Sequence, residues 1–149
     1  MITAIVPDAR DARDVQLLLT ALVPAAAEGL VRQVLLLDAG LDAAAREIAD
    51  DAGADILAAS LAEAARAARG EWLLVLPQGL RLRRGWGEVV AEHLEAGGGP
   101  ARIRGVETAS WAQRLLRPGA TGALVRRDGV GEGASLAALV RQARGRILS

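Results

Sequence analysis

The sequence predicts an α/β protein built on a mostly parallel, doubly wound sheet, and three observations carry that expectation. Short β-branched or Leu-rich runs alternate with Ala-rich stretches of 3.6 period through the first two thirds of the chain. One of those runs, Gln33–Asp38, is nearly all apolar, as a strand covered on both faces should be. Four strand-helix units follow one another directly, which implies right-handed crossovers and helices on both faces of the sheet.

Ile2–Val6 reads as the first strand. A helix follows from about Asp11, with Val15, Leu18, Leu19 and Leu22 on one face, and Pro24 is expected to stop it. After the second strand, Gln33–Asp38, Asp42 can cap a helix whose Ala45, Ile48, Ala49 and Ala52 form a buried stripe before Gly53 ends it. Ala54–Ala58 is a short third strand. Ser60-Leu61-Ala62-Glu63 has capping-box spacing and opens a helix that stops at Gly70. Trp72–Leu76 is the fourth strand, and Trp86–Ala96 a helix closed by Gly97-Gly98-Gly99-Pro100. Beyond Pro100 the pattern weakens: Arg102–Val106 and Gly122–Arg126 read as strands, Ser110–Leu116 and Ser135–Arg144 as helices.

At 149 residues the chain fits one domain, 1–149, divisible into residues 1–99 and a shorter half, 100–149. A chain of this size buries roughly 68–70% of its unfolded surface. Eighteen Arg balance eighteen Asp plus Glu, so no global field draws in nucleic acid or anionic lipid, and nucleic acid is not expected as a partner. With no Cys there are no disulfides and no thiolate zinc sites, which fits a reducing cytoplasm. With no Lys, neither a Walker-type phosphate loop nor Schiff-base chemistry is possible. The N-terminus lacks a basic region and reads as a strand rather than a signal peptide, and no apolar run approaches the ~20 residues that span a bilayer.

In open α/β sheets, ligands sit beyond the carboxyl ends of the strands, where the strand order reverses. That rule selects three short tails: Pro7-Asp8-Ala9-Arg10, Asp38-Ala39-Gly40 and Pro77-Gln78-Gly79. With strand 1 placed between strands 2 and 4, Asp8, Asp38 and Gln78 line one edge.

The same tails carry a resemblance to a known family. Gly70–Leu82, "GEWLLVLPQGLRL", is similar to the "GEWLLFLDADTRL" segment of the family-2 glycosyltransferases. Leu35–Leu57, "LLLDAGLDAAAREIADDAGADIL", is similar to that family's "VVVDDGSTDATAEIAREAGARVI". Gly122–Val130, "GALVRRDGV", resembles its "QGLFIRRELF", and Gly131–Leu136, "GEGASL", stands in the place of "MEDVDL". The match is good over residues 1–95 and loose over 110–146. The resemblance implies a single-domain GT-A-like (nucleotide-diphospho-sugar transferase) fold and a nucleotide or nucleotide-sugar ligand. It also implies that Asp38 contacts the nucleoside, with Gly40 letting the backbone approach closely.

The family's chemistry is thinned at three places. The family's Asp-x-Asp metal ligands correspond to Pro77 and Gly79, so neither metal nor other cofactor is expected. Its catalytic base corresponds to Gly133, with only Glu132 beside it as a carboxylate able to take an acceptor proton. Arg81 and Arg83, with Arg84 adjoining, offer planar forks for phosphate where the metal charge is lost. Two readings follow. One is a catalytically degenerate protein that retains a nucleotide pocket. The other is an active metal-independent glycosyltransferase. A related nucleotidyltransferase is disfavoured, since no Gly-rich loop with Lys follows the first strand. His93, three residues after Val90, reads as a packed helix residue, and the Trp residues as core or strand-edge fillers.

Overall fold

A computed structural model describes residues 1–106 and 120–149. Seven strands form one sheet, in the order β3-β2-β1-β4-β6-β5-β7. In chain order the elements are β1 Ile2–Ala9, α1 Ala12–Ala27, β2 Val31–Asp38, α2 Ala43–Asp51, β3 Asp55–Leu57, α3 Leu61–Ala67, β4 Trp72–Val75, α4 Trp86–Glu95, β5 Ala101–Arg104, β6 Thr121–Arg126, α5 Leu136–Gln142 and β7 Arg146–Leu148. Among the described strands only β6 runs against its neighbours; β1, β2, β3, β4, β5 and β7 all point the same way.

Alternation along the strands divides the core in two. Ile2, Ala4 and Val6 of β1 and Leu74 of β4 bury against α1, α2 and α4, with Leu18, Leu22, Ala45, Ala49, Trp86 and Val90 among the contacts. Ile5, Leu73 and Val75 face the other way, against Leu61, Ala64 and Ala65 of α3 and Leu139 of α5. The chain moves outward from β1 to β3 with helices on the first face, then returns to β4 with α3 on the second. A fixed crossover hand requires that change of face when the direction reverses.

The expected parallel, doubly wound sheet with β1 between β2 and β4 is present. Several boundaries differ, each for a local reason. The first strand does not end at Val6 but runs to Ala9, with its register against β2 shifted between Val6 and Ala9. Pro7 sits in that irregular stretch, beyond the last residue paired to β4, where a missing N–H costs no ladder bond. Pro24 does not stop α1, which continues to Ala27. In the last turn the ring removes a single intrahelical donor, the carbonyl of Pro24 still accepts from Glu28 N at 3.0 Å, and Ala25 extends the buried stripe. The last helix ends at Gln142 rather than Arg144, and a strand not expected from the sequence, β7, follows it and pairs with β5. The expected helix Ser110–Leu116, and Trp111 within it, lie outside the described residues.

The capping box at Ser60 forms, with the hydroxyl accepting from Glu63 N and the Glu63 carboxylate accepting from Ser60 N, both at 3.2 Å. Asp42 caps α2 as expected. His93 is buried on α4, with Nε2 2.7 Å from the carbonyl of Gly99. Trp86 is buried and donates Nε1–H to the carbonyl of Ala21 at 2.9 Å. At the amino edge of the sheet, Thr3 Oγ1 donates to Gln33 Oε1 and accepts from Gly70 N, while Gln33 Oε1 also accepts from Arg69 N. The backbones are so close there that a Cβ on Gly70 would lie 2.7 Å from Thr3 N.

Candidate functional site

The carboxyl ends of β1, β2 and β4 converge where the sheet changes winding direction, between β1 and β4. After β4, the carbonyl of Pro77 accepts from Leu80 N at 3.0 Å, closing a tight turn around Gln78 and Gly79. Gln78 then locks this turn to the tail of β1. Its Oε1 accepts from Arg10 N at 2.8 Å and Asp11 N at 3.1 Å, and its own N–H donates to Asp8 Oδ1 at 3.3 Å. The β2 tail joins through Ala39 N, which donates to Ala9 O at 3.1 Å. Asp8, Asp38, Gly40 and Gln78 therefore lie along one edge.

Asp38 works as a turn acid. Its Oδ1 accepts from Leu41 N at 2.8 Å and Gly40 N at 2.9 Å, and its Oδ2 pairs with Arg46 of α2. The two backbone N–H groups, with a smaller contribution from the guanidinium, hold its carboxyl below the usual carboxylate range. Gly40 takes φ +111, a conformation that an L side chain rarely adopts, so the turn requires glycine.

Arg81 is anchored at the same edge. Its Nη2 donates to Asp14 Oδ1 at 2.7 Å, in the first turn of α1, and its backbone carbonyl accepts from Val106 N at 2.6 Å. The other guanidinium nitrogen, Nη1, is buried and has no hydrogen-bond partner among the described residues. Buried charged donors are nearly always satisfied, so this nitrogen calls for an acceptor that the described residues do not supply. Asp14 was not singled out by the sequence; its place three residues after the capping Asp11 was the available signal, since that puts it at the same end of α1. Arg46 was missed likewise, although it stands one helical turn after the Asp42 cap and so beside the β2 tail.

Two other expected site residues lie elsewhere. Arg83, with Arg84, lines a groove of about 490 Å³ beside Pro24, Ala25, Glu28 and Trp86, against the second half of α1. Glu132 lies at the opposite edge of the sheet. β6 runs antiparallel to β4, with Arg126 opposite Trp72, and Arg127 N donates to Glu71 O at 2.8 Å. Six residues after Arg126, Glu132 pairs with Arg66 in the last turn of α3 and is largely exposed. The four residues of β4 alone separate the two edges by about 13 Å.

Among the described residues the edge offers few free ligands for a divalent cation. Pro77 and Gly79 supply no donor side chain, Asp8 already accepts from Gln78 N, and both oxygens of Asp38 are engaged. Among the described residues no group of three or more His, Cys, Asp or Glu is placed to hold a metal ion.

No protein-family model matches the chain, and no curated protein matches it. Solved structures do. Glucosyl-3-phosphoglycerate synthase from Mycobacterium tuberculosis, in complex with Mn2+, UDP and glucosyl-3-phosphoglycerate, superimposes with a TM-score of 0.63 at 15% identity, over 99% of this chain and 69% of that one. The complex of the same enzyme with UDP gives 0.64 at 14%, over the same shares. Its complex with Mn2+, UDP-glucose and phosphoglyceric acid gives 0.64 at 14%, again over 99% and 69%. The fold is thus GT-A-like, of the nucleotide-diphospho-sugar transferase type. No helix among the described residues is long and apolar enough to cross a membrane.

Proposed function

We propose that this chain is a glycosyltransferase-like protein that binds a nucleoside diphosphate or nucleotide sugar without a divalent metal and has lost turnover. The observation that carries the reading is Arg81, whose Nη2 is held by Asp14 at the carboxyl edge that Asp8 and Gln78 share and whose Nη1 has no partner among the described residues. A diphosphate oxygen is the natural acceptor for that nitrogen, since arginine binds phosphate through its fork. Asp38 and Gly40 shape the adjoining turn where a nucleoside would rest, and residues 1–99 form the nucleotide-side half. Such a protein would act as a nucleotide-responsive module in the cytoplasm.

The competing reading is an active metal-independent glycosyltransferase with Glu132 as base. General-base work needs hydrogen-bond reach to the acceptor proton. Glu132 instead pairs with Arg66 at the far edge, which favours the binding reading.

Calorimetric titration with uridine and guanosine diphosphates, each with manganese or with chelator, tests the proposal. Micromolar binding that is indifferent to metal supports it. No binding of either nucleotide refutes it, and sugar transfer by the unmodified protein would establish the competing reading.

A further inference from the structure

The zero net charge conceals a division along the chain. Residues 1–99 carry nine Arg against fifteen Asp and Glu, and residues 100–149 carry nine Arg against three acids, a balance of −6 against +6. The fold sends part of each excess to an opposite end of the sheet. At the β3 end, Glu47, Asp50, Asp51 and Asp55 are all exposed and form no ion pair among the described residues, while Arg46, the only cation of α2, is occupied by Asp38. At the β7 end, Arg102 and Arg104 of β5, Arg141 and Arg144 at the close of α5, and Arg146 of β7 have no carboxylate within ion-pairing distance among the described residues. The guanidinium Nε of Arg102 and of Arg144 donate only to backbone carbonyls, of Val140 and Arg141.

This basic end also has an open apolar spot. Arg102 pairs in register with Ile147, so the two share one face of the sheet, and Ile147 is 44% exposed. On the opposite face α4 covers the sheet and carries its own acids, Glu88, Glu92 and Glu95, and Arg146, in register with Ala101, shares that face; the basic character of the α5 side therefore rests on Arg102, Arg104, Arg141 and Arg144.

We infer that the arginine-rich end of one copy docks on the acidic β3–α2 end of a second copy, giving a head-to-tail self-association. The acidic surface complementary to these arginines stands on the same chain, and with no net charge the copies do not repel one another as wholes. Individual surface ion pairs are weak, so the association draws on several charges acting together and on the cover given to Ile147, and it is salt-sensitive. Because the two surfaces differ, the contact is heterologous and either closes into a ring or grows as an open chain.

Sedimentation velocity at low and high salt tests this directly, with a charge-reversal cycle as the control. The wild-type chain is expected to associate with rising concentration at low salt and to separate as the Debye length falls from about 10 Å at 0.1 M to about 3 Å at 1 M. Arg104→Glu with Arg144→Glu, both exposed positions, should give a monomer. Asp50→Arg with Asp51→Arg should also give one, and it places cations at a helix C-terminus, where they do not threaten folding. Mixing the two monomeric variants should restore association. Thermal melts confirm that each variant is folded. A wild type that stays monomeric at low salt, or folded variants that fail to combine, overturns the inference. So does binding of the arginine end to anionic vesicles without self-association.

Discussion

Gln78 and Asp8 clasp one another across the gap between β4 and β1: the Gln78 N–H donates to Asp8 Oδ1 at 3.3 Å, and the Gln78 side chain accepts from the two residues that follow Ala9. One amide thus fixes the relative position of two strand tails at the winding reversal. Gln78→Ala is expected to lower stability by at most about 1 kcal/mol, since water can replace the acceptor at an exposed site. Chemical denaturation measures that. If the clasp shapes the pocket, nucleotide affinity should fall much further than stability does.

Arg81→Met removes the proposed phosphate contact while retaining much of the side chain's bulk. Dissociation constants for uridine or guanosine diphosphate should rise at least tenfold, about 1.4 kcal/mol. The Asp14 pair is partly exposed, so folding should lose no more than about 1 kcal/mol. An unchanged affinity with a lowered melting temperature would assign Arg81 to structure alone.

Asp38 sets a pH dependence of known sign. Its folded carboxyl titrates below its ordinary range, so its stabilising contribution is complete above the unfolded value, about pH 4, and is lost as pH falls through the folded one. Asp38→Asn should therefore show a shallower loss of stability on acidification than the wild type. Parallel acid titrations followed by circular dichroism would reveal whether the two slopes differ.

Gly70→Ala and Gly79→Ala form a matched pair. A Cβ at Gly70 meets Thr3 N at 2.7 Å and the Met1 carbonyl at 3.0 Å, backbone atoms that cannot swing aside. Expected destabilisation is about 1–3 kcal/mol. A Cβ at Gly79 meets nothing within 4 Å, and its substitution should fall within about 0.5 kcal/mol of neutral. Equal melting temperatures for the two variants would contradict the close packing of Gly70 against β1.

Ser60→Ala tests the capping box. Losing the hydroxyl that accepts from Glu63 N should cost about 1 kcal/mol, read from urea midpoints.

What the sequence made legible was whatever depends on periodicity and on short-range chemistry. The winding of β1 to β4, the caps at Asp42 and Ser60, and the edge shared by Asp8, Asp38 and Gln78 all follow from patterns within a few residues. Pro24 misled because a proline's cost depends on its distance from the helix end, which tertiary packing of Ala25 decides. β7 was invisible because three residues, two of them exposed, carry no alternation to read. The Arg81–Asp14 pair spans 67 residues of sequence, and only the fold brings them together. Arg83 was named for its charge just past the fourth strand and Glu132 for its place beside the family's motif, and neither argument contains the path of the chain that sets Arg83 against α1 and Glu132 against Arg66.

The reversed strand β6 has a further consequence. Each strand delivers the chain to one rim of the sheet, and β6 delivers it to the rim away from Gln78. The short 3-10 turn Arg127–Gly129 does not carry it back before Glu132. What separates this carboxylate from the edge that Asp8, Asp38 and Gln78 share is therefore the course of the chain. A helical insert of about nine residues, rising about 1.5 Å each, spans roughly the length of β4. Grafting such a return segment after Gly129 would relocate the acid, whereas no point substitution at 131–133 can.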